Sequence, residues 1–376
     1  MCNSRTLRIG SPHKCGRWRI IMKIRRFLLV CGILLFVVLL CTNADAAGGA
    51  FITAMDNFLH KLLPVLFPYM VISRLFISQD LLSSLSLVLP IHKIFRIPAG
   101  AAPVFWLGNL CGFPVGAQLT GILYRNGRIS AKEASRLCAI SGNVSPAFVV
   151  QAIGGLLWNN TAFGGFLLTL QFLSCCVVGI FLGRKAGDTV SVSDMRGETE
   201  GFGGAFCRAV TESAAGCVSL WGYIVFFSVL LAVIPVGGMG RLVLASLLEF
   251  TAGVEEAAAA GGLAGLFFTG FSIGFGGLCV LAQVSHALGK NGISLVPYIG
   301  GKCFQGIVCG IGAVLYGLCF PALHKGDTVR STLFLYTGMT DGIGQFLFPG
   351  IVVLLAGMHY LLYFPKNSVK TDDSSV

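Results

Sequence analysis

The sequence predicts an all-α polytopic membrane protein, and three observations carry that prediction. Of its 376 residues, 55% belong to the AVILMFWYC set and only 11% are charged, with a mean hydropathy of +0.81; a soluble chain carries about 25% charged residues to cover its surface. Several apolar stretches reach the roughly 20 residues that a helix needs to cross a bilayer. The two halves repeat one pattern of apolar segments interrupted by glycine and proline, offset by 165 positions. A soluble enzyme, a disordered chain and a nucleic-acid-binding module are thereby excluded as main readings. The expected partners are the lipid bilayer and a small-molecule solute, with no nucleic acid and with a homo-oligomer as an option.

Taken in order, the chain opens on a basic arm. Arg5, Arg8, Lys14, Arg17, Arg19, Lys23, Arg25 and Arg26 account for most of the net +11; without those eight, 19 basic and 16 acidic residues remain. Positive residues beside a first span hold that end in the cytoplasm. The apolar run Phe27–Cys41 then reads as either a signal peptide ahead of a small-residue cleavage site or a short uncleaved span. Met22 offers a second possible start. Phe51–Gln79 is apolar but holds Asp56, His60, Lys61, Arg74, Pro64 and Pro68, the composition of a tilted or broken helix. A short apolar piece over 81–92 ends at Pro90. Pro98–Tyr124 is glycine-rich and interrupted by Pro103 and Pro114, Arg125–Arg136 is a polar loop, and Ala134–Trp158 and Phe163–Leu182 read as spans.

A charged loop at Arg184–Gly203 separates this half from the next. There follow Phe206–Pro235, the short Arg241–Phe250, the glycine-rich Ala257–Leu288, Pro297–Leu323 and a last apolar region, Thr332–Phe364, with a polar tail. The expected division is a basic arm and first segment at 1–50, a first repeat at 51–184, the charged loop at 185–204, a second repeat at 205–325, and a final span and tail at 326–376.

The repeat is countable. Gly112–Gly127 laid over Gly277–Gly292 gives seven identities in sixteen positions, among them Gly112/Gly277, Ala117/Ala282, Gln118/Gln283 and Asn126/Asn291. A weaker echo sets Leu66–Tyr69 over Leu220–Tyr223. Paired Gly/Pro-interrupted apolar segments point to a transporter-like binding site. Unwound backbone at membrane depth is tolerated only where it lines a cavity or is buried in protein, and there its free N–H and C=O groups become ligands. Pro114 in the first copy and Gly274, Gly276 and Gly277 in the second suit such breaks; a merely kinked span is the alternative.

Polar groups inside the apolar segments are the candidate solute contacts, because such groups are costly in a membrane and face its interior cavities or one another. The densest cluster is Ser141, Asn143 and Ser145 ahead of Pro146, read either as solute contacts or as interhelical hydrogen bonding. Gln118 and Gln283 occupy equivalent repeat positions. Asn109, Ser272, Ser285 and Gln305 stand behind them. Glu249 and Glu255 are candidates for coupling a proton or cation, with an interfacial span-end role as the alternative. Glu256, His286 and Asp341 are of similar kind.

Other chemistry finds little support. The fourteen cysteines lie mostly in apolar stretches and contain no C-x-x-C pair, so they read as small buried hydrophobes; neither a metal nor a cofactor is expected. Gly270-Phe-Ser-Ile-Gly274 matches the G-x-S-x-G pattern, but that motif needs a strand–turn–helix setting and here it lies in a glycine-rich membrane segment. Gly108, Gly112 and Gly116 at four-residue spacing make a helix-packing pattern. No P-loop or H-E-x-x-H sequence occurs. No enzymatic activity is expected.

Several runs resemble the YlbJ-type sporulation integral membrane proteins: Leu62–Tyr69, Phe95–Gly100, Cys111–Gln118, Ser141–Phe148 and Gly276–Ser285. The similarity covers roughly residues 50–325. It implies nucleoside-recognition (Gate) domains and two inverted repeats with re-entrant helical hairpins, similar to the core of concentrative nucleoside transporters. It also implies a role in spore formation, in the cell membrane or outer forespore membrane of an endospore-forming bacterium, where family members are associated with passing dipicolinic acid. By position, Cys111–Gln118 and Gly276–Gln283 are then the hairpin regions and Ser141–Pro146 the broken-span element. That last run departs from the more amide- or serine-rich run of relatives. The resulting expectation is a permease for a small anionic or nucleoside-like solute, contacted by Asn109, Gly112, Pro114, Gln118, Ser141, Asn143, Ser145, Ser272, Gly277, Gln283 and Ser285. The rival is a non-transporting membrane scaffold for spore assembly.

Overall fold

A computed structural model describes residues 12–78, 91–184, 201–289 and 292–321, with side chains from residue 23 onward. The charged loop over 185–200, the last apolar region with Asp341, and the tail lie outside the described residues. No strand occurs among those that are described. Among the described residues, five helical segments are long and apolar enough to cross a membrane: Lys23–Thr42, Thr161–Arg184, Phe202–Val233, Gly262–Leu288 and Val296–Cys319. The chain is an integral membrane protein.

Helix α1 (Pro12–Thr42) carries the first of these spans, which buries none of its apolar window. Phe27 and Leu28 are 68% and 63% exposed, an apolar surface suited to lipid rather than water. Helix α2 (Ala44–Asn57) passes through a π-helical turn into α3 (Leu63–Ser78), which contains Pro68. The short α4 (Ile91–Phe95) leads to α5 (Ala102–Cys111) and α6 (Val115–Arg125). These two are one apolar segment cut at Gly112–Pro114. Gly112 takes a φ of +82°, open to a residue without Cβ, and Pro114 has no N–H to continue the ladder.

Helix α7 (Ala131–Ile140) starts where the Ser-Ala-Lys-Glu pattern requires. Ser130 Oγ accepts from the Glu133 amide at 3.3 Å, and the Glu133 carboxylate accepts from the Ser130 amide at 2.8 Å, a capping box. The sequence reads Ala134–Trp158 as one span. The structure instead stops α7 at Ile140, runs 141–145 without helix, and resumes in a π-helical segment at Phe148–Leu157. Pro146 accounts for the non-helical backbone just before the restart, because the residue before a proline is pushed out of the helical region. Helix α8 (Thr161–Arg184) closes this half.

In the second half α9 (Phe202–Val233) is unbroken. Helices α10 (Gly238–Leu248) and α11 (Phe250–Ala260) are divided at Glu249, whose backbone is extended. The Ala257–Leu288 stretch separates into the end of α11, then α12 (Gly262–Phe275) and α13 (Gly277–Leu288), with Gly276 and Gly277 both at φ +82°. Helix α14 (Val296–Cys319) runs straight where the matching first-half segment is broken. The G-x-S-x-G run lies inside α12.

Glycine sets how closely these helices approach. A Cβ on Gly270 would lie 2.2 Å from Cys309 O, and one on Gly274 would lie 2.4 Å from Gln305 O. Gly306 and Gly310 of α14 return the contact against Phe271 and Phe267. This is small-residue packing of the kind that drives helix association in lipid. Trp158 ties the halves together, its indole N–H donating to Thr269 Oγ1 at 3.1 Å.

Candidate functional site

Four interruptions of helix meet at one place. A Cβ on Gly112 would lie 3.0 Å from Ser145 N, so the Gly112–Pro114 break rests on the 141–145 break. The Phe113 ring lies under Gly276, whose Cβ would be 3.1 Å from the ring tip. It also packs edge-on against Phe250, with centroids 5.7 Å apart. A Cβ on Gly277 would lie 2.9 Å from Leu248 O and 3.1 Å from Glu249 N, so the α10–α11 break closes onto the α12–α13 break. Each copy of the repeat therefore brings its Gly-centred break to a common centre, and Phe113 fills it.

On one side of Phe113 is a buried polar network. Asn109 Nδ2 donates to Phe105 O at 2.7 Å and to Ile140 O, the last carbonyl of α7, at 3.0 Å. Asn143 Nδ2 donates to Asn109 Oδ1 at 2.5 Å. Lys302 Nζ of α14 donates to Asn143 Oδ1 at 2.7 Å and to Gln305 Oε1 at 2.8 Å. The ammonium also lies 5.3 Å from the centre of the Phe113 ring and 5.9 Å from that of Tyr298. Lys302 is 1% exposed, Asn143 1% and Gln305 0%. Gln171 Nε2 donates to Val144 O at 3.0 Å, so side chains serve the carbonyls that the break leaves without helical partners.

On the other side lies an open cavity of about 300 Å³ between α3, α6, α9 and α13, bordered by Pro114, Gln118, Gln283, Arg74, Arg125, Glu212, Tyr223 and His286. Arg74 pairs with Glu212 and reaches Gln118 Oε1 at 3.5 Å. Arg125 donates to Ala287 O at 3.3 Å. Two guanidinium groups face one carboxylate, so the walls carry a positive excess and favour an anion.

The sequence candidates thus fall into separate groups. Pro114, Gln118 and Gln283 border the cavity, while Asn109 and Asn143 belong to the buried network. Gly112, Ser145 and Gly277 form the breaks. Ser141 is fully buried and its carbonyl is clamped between Gly108 and Gly116. Ser272 is buried against Gly253, and Ser285 is exposed; neither belongs to the cavity or the network. Glu249 caps α11, accepting from Ala252 N at 2.8 Å and from the Thr251 hydroxyl, which a carboxylate at a helix N-terminus does favourably. Glu255 lies on α11, in neither group. Glu256 pairs with Arg241 at 2.6 Å.

Sequence reading missed Lys302, Phe113 and the charged wall of Arg74, Arg125 and Glu212. For Lys302 the signal was present: it is the one charged residue in the 24 of α14, and an ionisable residue inside a span marks a functional site by default. The repeat drew attention away from it, since a shift of 165 sets Lys302 over Leu137. Among the described residues, no group of three or more His, Cys, Asp or Glu is placed to hold a metal ion.

Over 370 aligned residues the chain is 24% identical to the sporulation integral membrane protein YlbJ of Bacillus subtilis strain 168, an alignment taking in 83% of this chain and 90% of that relative. The chain is thus similar to a YlbJ-type protein over most of its length. No protein-family profile matches it, and no solved structure does. The YlbJ-type relative is matched along nearly its whole length, so the likeness takes in both halves of the chain rather than one set of helices.

Proposed function

We propose that this chain is a permease for a small anionic or nucleoside-like solute, acting in the membrane of an endospore-forming bacterium during spore formation. The convergence of four helix breaks on Phe113, between an open cationic cavity and a buried polar network, is the observation that carries this reading. Discontinuous helices from two repeats around one midplane site are how secondary transporters expose backbone and polar side chains to a solute. The two copies of the break would belong to inverted, Gate-like repeats, and one would rock against the other. The name of the Bacillus relative supports the sporulation setting. Dipicolinic acid, a compact planar dianion, suits a cavity of about 300 Å³ with an excess of guanidinium groups.

The test is uptake of labelled dipicolinate into proteoliposomes holding the purified chain, with uridine as competitor and Asn143→Ala plus Gln283→Ala as control. Saturable uptake is expected, falling roughly tenfold or more in the double variant, the usual scale for losing a polar contact. No uptake of either solute by folded protein would favour a non-transporting scaffold instead.

Arg74→Gln separates cavity electrostatics from folding. The Arg74–Glu212 pair is half open on its acidic side, with Glu212 at 49% exposure, so the melting temperature should hardly move, in line with about 1 kcal/mol or less for such pairs. The KM for dipicolinate should rise several-fold. An unchanged KM would remove the guanidinium wall from the solute path.

A further inference from the structure

The ammonium of Lys302 is a buried charge with no counter-ion among the described residues. It is 1% exposed. Its two hydrogen bonds go to neutral amide oxygens, Asn143 Oδ1 and Gln305 Oε1. The remaining contacts are the ring faces of Phe113 and Tyr298, and the titratable groups around it are the thiols of Cys138, Cys175 and Cys309. Among the described residues no carboxylate pairs with it. A buried charge is normally matched by an opposite one, and amide dipoles with ring faces fall short of that.

The unused groups nearby share one chemistry. Gln305 Nε2 and Tyr298 Oη are buried without a hydrogen-bond partner, on residues 0% and 2% exposed. Ser141 Oγ, two residues before Asn143, is also buried and unpartnered. Gln305 Nε2 and the third N–H of Lys302, which has three donors and no acceptor, are donors still unused here, while the hydroxyls can donate or accept. A carboxylate, which only accepts, is the complement.

Pro114 borders the open cavity, and the next residue in the chain, Phe113, lies against the ammonium, so the Gly112–Pro114 break touches both places. We infer that Lys302 is a carboxylate-binding station: a carboxylate of the solute displaces the Phe113 ring and becomes the counter-ion of Lys302, with Gln305 and Tyr298 donating to its oxygens. The inference rests on the permease reading and deepens it, by naming the buried residues that would take a carboxylate of the solute.

Binding and transport are measured separately, on the full chain. Pyridine-2,6-dicarboxylate, benzoate and succinate, each beside its neutral amide, are titrated into detergent-purified protein by calorimetry, and the bound acids are then tested for uptake. At least one acid should bind roughly tenfold or more tightly than its amide, a ratio that reads directly on the charge. Lys302→Gln should lose that preference. Asn143→Asp keeps the lysine and sets a carboxylate on it, at the cost of the Asn143–Asn109 hydrogen bond; this variant should bind the acid roughly tenfold more weakly. It decides the matter if Lys302→Gln fails to fold. Wild-type affinity for the acid in Asn143→Asp, or no binding of any acid by wild type, overturns the station. Binding without uptake keeps the station and sinks the permease reading. Uptake that Asn143→Asp leaves intact does the reverse.

Discussion

Gly116→Ala should destabilise the protein strongly. An added Cβ there would stand 1.8 Å from Ser141 O and 2.9 Å from Ser141 Cβ, and the neighbouring Gly108 already approaches the same carbonyl so closely that its own Cβ would be 2.1 Å away. Both obstacles are backbone or fully buried, so no flexible side chain can yield. Relief requires moving α6 away from the 141–145 break, and that break also carries Asn143 and the carbonyl served by Gln171. Overpacking a tight core costs about 3 kcal/mol at its upper range, against a total stability of about 5–15 kcal/mol for an ordinary domain. The measurement is a thermal melt in detergent beside Gly165→Ala on α8, where nothing lies within 4 Å of the new Cβ and better helix propensity should raise the melting temperature slightly. A Gly116→Ala protein that melts with wild type would show that the clamp on Ser141 is not part of the fold.

Asn109→Leu should cost nearly as much, by a different route. Leucine has about the same shape, so packing is kept and polarity alone is lost. Asn109 serves Phe105 O, Ile140 O and Asn143 Nδ2 at once. Cys175 Sγ also reaches Ile140 O, at 3.0 Å, so that carbonyl keeps one donor, but the Asn143 amide keeps no acceptor. One or two buried groups left unsatisfied cost about 1–3 kcal/mol each. Asn143 would then turn, and the Lys302 ammonium would lose its held acceptor. A double-mutant cycle with Asn143→Leu checks this. The two residues share one network, so the double variant should be much less destabilised than the sum of the singles. Strict additivity would mean that the two amides act independently and that the network is only a juxtaposition.

Much of the fold was legible in single segments. Composition alone places the chain in a membrane. Gly112 with Pro114 and Gly276 with Gly277 marked two breaks, because the residue types that abandon helical geometry do so from local chemistry. The start of α7 was read three residues late, at Ala134 after a loop over Arg125–Arg136, whereas the Ser130–Glu133 capping box sets it at Ala131. Pro146 marked a third interruption, although the span around it read as continuous. The Glu249 break was legible only as the end of the short Arg241–Phe250 segment, since neither glycine nor proline stands there; it is held by a carboxylate folding back onto its own helix and by the close approach of Gly277.

The candidate site was legible only in pieces, for a physical reason. Periodicity and residue type report on a segment's own backbone and on which of its faces is apolar. They do not report which other segment that face meets. Gln118 and Gln283 were matched by the repeat, and the structure brings both to one cavity. Asn143 was grouped with them, yet it belongs to a separate buried network; Ser285 is exposed. Lys302 has no counterpart in the repeat, and its partners Asn143 and Gln305 come from a broken segment and a straight one. The sequence by itself determined a membrane-embedded, all-helical chain with a duplicated break. Only the tertiary structure decided that the breaks converge on Phe113 and that a lysine waits behind it, because both follow from glycine-mediated contacts between helices far apart in the chain.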